Sequence, residues 1–108
     1  MKRALPGAAA RRAVLELFRA FSHEDRLTVL LSLSLNDALC VSDLTELCGA
    51  TQSSMSHQLR HLRDAGLVRR TRRGKQIFYA LDDQHVAAIL VDAVTHAKEQ
   101  RPPRRARG

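Results

Sequence analysis

A mainly helical domain carrying one small β-hairpin is what this sequence predicts, in the order helix, helix, helix, helix, hairpin, helix. Three observations carry the expectation. Apolar residues recur every three or four positions through most of the chain. Two short runs rich in branched and aromatic residues bracket a glycine turn. And 108 residues with a hydrophobic share of 44% make one folded domain, with too little chain left for a second.

Val14, Leu17, Phe18 and Phe21 stand at helical spacing and predict a first amphipathic helix over about 10–21. Ser22 followed by Asp25 is a capping pattern that opens a second helix, with Leu27, Leu30 and Leu31 turned inward. Asn36-Asp37 breaks it. A short third helix runs from Val41 to Cys48, apolar at Leu44 and Leu47 and stopped by Gly49. Thr51 can cap a fourth helix, which continues to Ala65 and stops at Gly66. Leu67-Val68-Arg69 and Gln76-Ile77-Phe78-Tyr79-Ala80-Leu81 then flank Arg72-Arg73-Gly74-Lys75, the pattern of a hairpin. The last helix occupies about Asp83 to Glu99. A short helix, a tight turn, a longer polar helix and a basic hairpin together outline a winged helix-turn-helix. Residues 10–99 form this domain, residues 1–9 a flexible basic arm, and residues 100–108 a disordered basic tail with nothing to bury.

Lys+Arg 18 against Asp+Glu 11 leaves a net charge of +7, unevenly spread. Residues 1–15 carry +4, 16–51 carry −4, 52–75 carry +6, 76–99 carry −3 and 100–108 carry +4. No stretch approaches the ~20 apolar residues of a membrane span. The N-terminal apolar run is broken by Pro6, Gly7 and two arginines, which argues against a signal peptide. Two cysteines make no disulfide framework. A cytoplasmic protein with no membrane partner and no small-molecule substrate is expected.

The +6 block lies inside the folded part, so its position decides between a solvated surface and a binding face. On a helical wheel Met55, Leu59 and Leu62 share one side of the fourth helix and face the core. The opposite side gathers Ser53, His57, Arg60 and His61, with Gln52 at the helix start and Ser54 and Ser56 toward the edges. Short donors and acceptors with an arginine suit base edges and phosphates in a major groove of double-stranded DNA. His57 and His61 could also chelate a metal, but that face supplies no third ligand. The hairpin adds Arg69, Arg70, Arg72, Arg73 and Lys75, five cations without an acid, placed to straddle phosphates.

With these segments in place the sequence resembles the ArsR/SmtB family of bacterial winged-helix repressors, over about Leu17 to Glu99. The segments that carry the resemblance begin with His23-Glu24-Asp25-Arg26-Leu27, Leu39-Cys40-Val41-Ser42-Asp43-Leu44 and Gln52 through Leu62. Ala65-Gly66-Leu67-Val68, Ile77 through Leu81 and Asp82-Asp83-Gln84-His85-Val86 complete them. The resemblance implies a homodimer, joined through its first and last helices, that represses its own operon and releases DNA when an inducer binds, often a metal ion.

Asp83, His85, His96 and Glu99 are four metal-competent side chains on or beside the last helix. His85, His96 and Glu99 line one flank of an apolar stripe made by Val86, Ile89, Leu90, Ala93 and Ala97. Histidines eleven residues apart are roughly 16 Å apart along the axis, too far to share an ion within one chain. Two antiparallel copies remove the difficulty: Asp83 and His85 of one meet His96 and Glu99 of the other, giving two symmetric sites. Asp-x-His followed by His-x-x-Glu is also the family's zinc-type pattern on this helix. Four N/O ligands suit tetrahedral Zn(II) best, with Co(II) a natural surrogate. Relatives that favour Ni(II) recruit extra ligands, and residues 1–12 and 100–108 contain no His, Cys, Asp or Glu, which makes nickel less expected.

The family's other metal site uses Cys-x-Cys at the start of the third helix. Here Ser42 takes the second position, and Cys48 lies too far from Cys40 to share an ion, so both cysteines read as small buried apolar residues. The resemblance further implies an allosteric link in which the metal-bound His96 donates its free ring N–H to a backbone carbonyl near Gly66. Three alternatives stand beside this reading. One is a repressor of the same family with a non-metal inducer or none. A zinc hydrolase would need three ligands converging in one chain. An RNA-binding module would lack a stacking platform, because the chain has only four aromatic residues, three Phe and one Tyr.

Overall fold

The computed structural model describes residues 1–99; the expected tail at 100–108 lies outside the described residues. Five helices are present: α1 (Ala8–Phe21), α2 (Glu24–Leu35), α3 (Val41–Cys48), α4 (Gln52–Asp64) and α5 (Gln84–Glu99). With them stand β1 (Leu39–Cys40), β2 (Val68–Arg73) and β3 (Gln76–Leu81). The winged helix-turn-helix expectation holds, with one strand added: β1 pairs antiparallel with β3, so the hairpin is two strands of a three-stranded sheet ordered β1-β3-β2. Two residues are too few to show a period-two pattern, so nothing local marked β1.

α2 is the hub of the core. Its Val29, Leu30 and Leu33 are buried and meet Leu44 of α3, Met55, Leu59 and Leu62 of α4, and Val86 and Leu90 of α5. The inward phase of α2 is therefore centred on Leu30, with Leu27 and Leu31 only half-buried. Ser22 does not open α2. Its hydroxyl donates to the Arg19 carbonyl at 2.8 Å and closes α1, while His23 takes the N-cap position without a side-chain cap bond. The short link between the helices leaves one residue for each end. Arg26 braces the corner, its Nε donating to the Ala20 carbonyl at 3.2 Å.

α1 begins at Ala8, two residues earlier than expected, and packs on α2 through Leu17, Ala20 and Phe21. Val14, Leu15 and Phe18 on its other side are about half exposed, at 51%, 49% and 51%. The last helix differs from expectation in a related way. Val86 and Leu90 are used by the protomer's own core, whereas Ala93 and Ala97 of the same stripe are exposed. The stripe thus splits into an inner part near the start of α5 and an open part near its end. Among the described residues no helix is long and apolar enough to cross a membrane.

Candidate DNA-binding face and metal half-sites

α3 and α4 are joined by a tight turn in which Gly49 adopts φ 63°, a left-handed conformation that costs a residue with a Cβ. The Thr51 hydroxyl accepts the Ser54 amide at 3.0 Å and starts α4 as expected. At the other end Gly66 takes φ 76°. The Leu67 amide returns to the Leu62 carbonyl at 2.9 Å and the Gly66 amide to Arg63 at 3.0 Å. That is a Schellman closure with both leucines buried. Capping at both ends, with Met55, Leu59 and Leu62 buried beneath, holds α4 with its polar side outward.

Gln52, Ser53, Ser56, His57, Arg60 and His61 are exposed on that side, and Ser54 is half-buried at its edge. The His57 and His61 rings meet edge-on, with centroids 5.6 Å apart. Gln58 is the residue the wheel missed: it is buried, and its Oε1 has no hydrogen-bond partner.

The wing turns in two residues, Gly74 and Lys75, with Gly74 at φ 63° and Arg73 paired to Gln76. Arg72 and Arg73 are therefore strand residues and not part of the loop. Strand alternation then divides the cations. Arg70 pairs with Tyr79 and Arg72 with Ile77, which places both arginines on the sheet face shared with Tyr79 and Ile77. Arg69 and Arg73 point the other way. Arg69 donates to the carbonyls of Leu81 (3.2 Å) and Asp82 (2.7 Å), fastening the wing to the lead-in of α5. Arg73 lies over the Phe78 ring, 5.1 Å from its centroid. The five hairpin cations are thus not equivalent: Arg70 and Arg72 stand on the sheet face that α4 shares, and Lys75 at the tip.

At the start of α5 Asp83 does two things at once. Its Oδ1 accepts the Val86 amide at 3.0 Å and caps the helix, while Oδ2 lies 3.7 Å from Nδ1 of His85. The amide bond first, and the neighbouring imidazole after it, hold the Asp83 carboxyl below the usual carboxylate range despite some opposing desolvation. A carboxylate oxygen and an imidazole nitrogen are therefore neighbours, exposed, with the carboxylate ionised at neutral pH. His96 and Glu99 are exposed in the last turn of the same helix. Among the described residues no three His, Cys, Asp or Glu side chains come together within the protomer. The four candidate ligands stand as two separate pairs, Asp83 and His85 at the start of α5 and His96 and Glu99 in its last turn.

Cys40 is buried at the N-cap of α3, its thiol donating to Asp43 Oδ2 at 3.2 Å. Burial pushes the Cys48 thiol up and keeps it protonated. Cys48 is therefore not presented as a thiolate ligand.

The profile "Bacterial regulatory protein, arsR family" matches residues 23–70. The chain is 44% identical over 85 residues to the HTH-type transcriptional regulator NmtR of Mycobacterium tuberculosis, covering 79% of this chain and 70% of that one. It is 34% identical over 86 residues to the cadmium resistance transcriptional regulatory protein CadC homolog of Staphylococcus aureus, covering 80% and 71%. In structure it is similar to the AntR antimony-specific transcriptional repressor, with a TM-score of 0.81, 30% identity and coverage of 92% and 89%. These relatives are transcriptional regulators and not enzymes.

Proposed function

The chain belongs to the ArsR family of bacterial regulatory proteins, and from that premise we propose that it is a metal-responsive repressor, binding a palindromic operator as an apo homodimer and releasing it when Zn(II) binds. The observation that carries the proposal is the pair of exposed half-sites on α5, Asp83–His85 at one end and His96–Glu99 at the other. Ligands split in this way favour two copies with their last helices antiparallel, each site taking two residues from either chain. The exposed alanines Ala93 and Ala97 let such helices approach closely, and the uncovered Val14, Leu15 and Phe18 of α1 offer further apolar surface. A cadmium-resistance regulator and an antimony-specific repressor among the relatives support a metal or metalloid inducer.

Zinc would be held by two imidazoles and two carboxylates, a tetrahedral N/O set that Co(II) also accepts and Ni(II) fits less well. His96 and Gly66 form the link to the reading head. A fixed His96 ring presents its second N–H to a backbone carbonyl near Gly66, where α4 closes, and that tie disfavours the DNA-bound arrangement. α4 reads the major groove with Gln52, Ser53, Ser54, Ser56, His57, Arg60 and His61, while Arg70, Arg72, Arg73 and Lys75 of the wing add phosphate contacts.

Titrating an operator duplex with and without zinc at one fixed salt concentration tests the proposal. Zinc should weaken binding, and equal affinities in the two arms would leave only a repressor with another inducer. The wing has its own test. Arg72→Ala should weaken binding to every duplex alike and lower the slope of log K against log salt by about 0.9. An unchanged slope would remove Arg72 from the phosphate contacts.

A further inference from the structure

Between α4 and the wing lies an open concavity of about 540 Å³. Three arginines line it: Arg60 and Arg63 from α4, and Arg70 from β2. Among the described residues none of the three has an acidic partner within ion-pair distance. Val41, Ile77 and the otherwise buried Tyr79 contribute apolar surface to the lining, and Ser56 and His57 complete it. Three like charges gathered in one concavity repel one another, and an anion among them relieves that repulsion. Arg63 is the informative member. It sits in the last turn of α4, away from the helix start that enters the groove, and it is half-buried and not swung into solvent. The Arg70–Tyr79 cross-strand pair turns Arg70 onto the same concavity from the opposite wall.

We propose that this concavity is a clamp for a single phosphate, in which Arg63 and Arg70 close on one phosphodiester of the DNA backbone from two sides. The inference rests on the repressor reading and adds to it a residue, Arg63, and a stoichiometry, one phosphate for two arginines. The clamp joins recognition helix to wing, so it fixes the angle at which α4 enters the groove and carries no sequence information itself.

The test measures duplex affinity against salt concentration for the wild type, Arg63→Gln, Arg70→Gln and the double variant, on an operator and on an unrelated duplex. Neither side chain belongs to the buried core, and matching thermal melts establish that the variants fold. Both singles should weaken the two duplexes by the same factor, and the double variant should lose about 0.9 of slope, the value for one phosphate. A loss of about 1.8 would place the arginines on separate phosphates and overturn the clamp. An unchanged slope would do the same. Inorganic phosphate added at constant ionic strength supplies the remaining arm. If it competes with wild type and double variant equally, the concavity is not an anion site. If the wild type binds neither duplex, the repressor reading falls and the clamp with it. Wild-type binding with the wrong slope removes the clamp alone.

Discussion

Replacing His96 with alanine should leave the metal-free protein's hold on an operator unchanged and abolish the proposed release by zinc. His96 is exposed at the end of α5, on the opposite end of the helix from Asp83 and His85. Its removal disturbs no packing, so apo affinity should stay within about twofold of wild type, the range of a neutral surface change. In the wild type zinc should weaken operator binding by a factor within about 5–150, the usual span of allosteric coupling. In His96→Ala that factor should fall to about one, whether or not the remaining three ligands still hold some metal. Fluorescence anisotropy of a labelled operator, titrated with protein at fixed salt with and without zinc, reads both quantities. Release that persists in the variant would move the metal site or the link elsewhere. Linkage adds a reciprocal expectation: operator DNA should weaken zinc binding by the same factor.

The largest stability loss is expected from Leu30→Ala. Leu30 is fully buried at the centre of α2, the helix that touches every other helix of the domain. Truncation there removes apolar contacts and leaves a cavity that the surrounding helices fill incompletely, at a cost of about 2–5 kcal/mol. Small domains have only about 5–15 kcal/mol in total, so a large part of the folded population is at risk at physiological temperature. Leu35, in the last position of the same helix, is 84% exposed, and Leu35→Ala should change stability by less than about 0.5 kcal/mol. Urea denaturation of the two variants side by side, without zinc, measures the contrast. Equal midpoints would mean that α2 is not the hub.

Much of this protein was legible in the order of its residues. Helices α3 and α4 were readable to within a residue or so, because Gly49, Thr51 and Gly66 punctuate them and the buried Met55, Leu59 and Leu62 share one side of a helix. The exposed polar side of α4 followed from the same periodicity. The separation of His85 from His96 alone keeps the two imidazoles from sharing an ion within one chain, since rise per residue is a property of every helix. The caps were less legible. Ser22 has the chemistry of an N-cap for α2, yet it closes α1, and only the path of the chain between the two helices settles which end it serves.

What the tertiary structure decided is which neighbours each side chain meets. It fixed the hairpin register, and so sent Arg70 and Arg72 to one face and Arg69 and Arg73 to the other, where composition had shown five equal cations. It placed Arg63, from the far end of α4, in one concavity with Arg70, Ile77 and Tyr79 of the wing, a grouping outside any local pattern. It also divided the apolar stripe of α5, taking Val86 and Leu90 inward and leaving Ala93 and Ala97 exposed. Periodicity tells which residues share a face, because it is set by backbone geometry. It does not tell what covers that face, because burial is set by elements arriving from elsewhere in the chain.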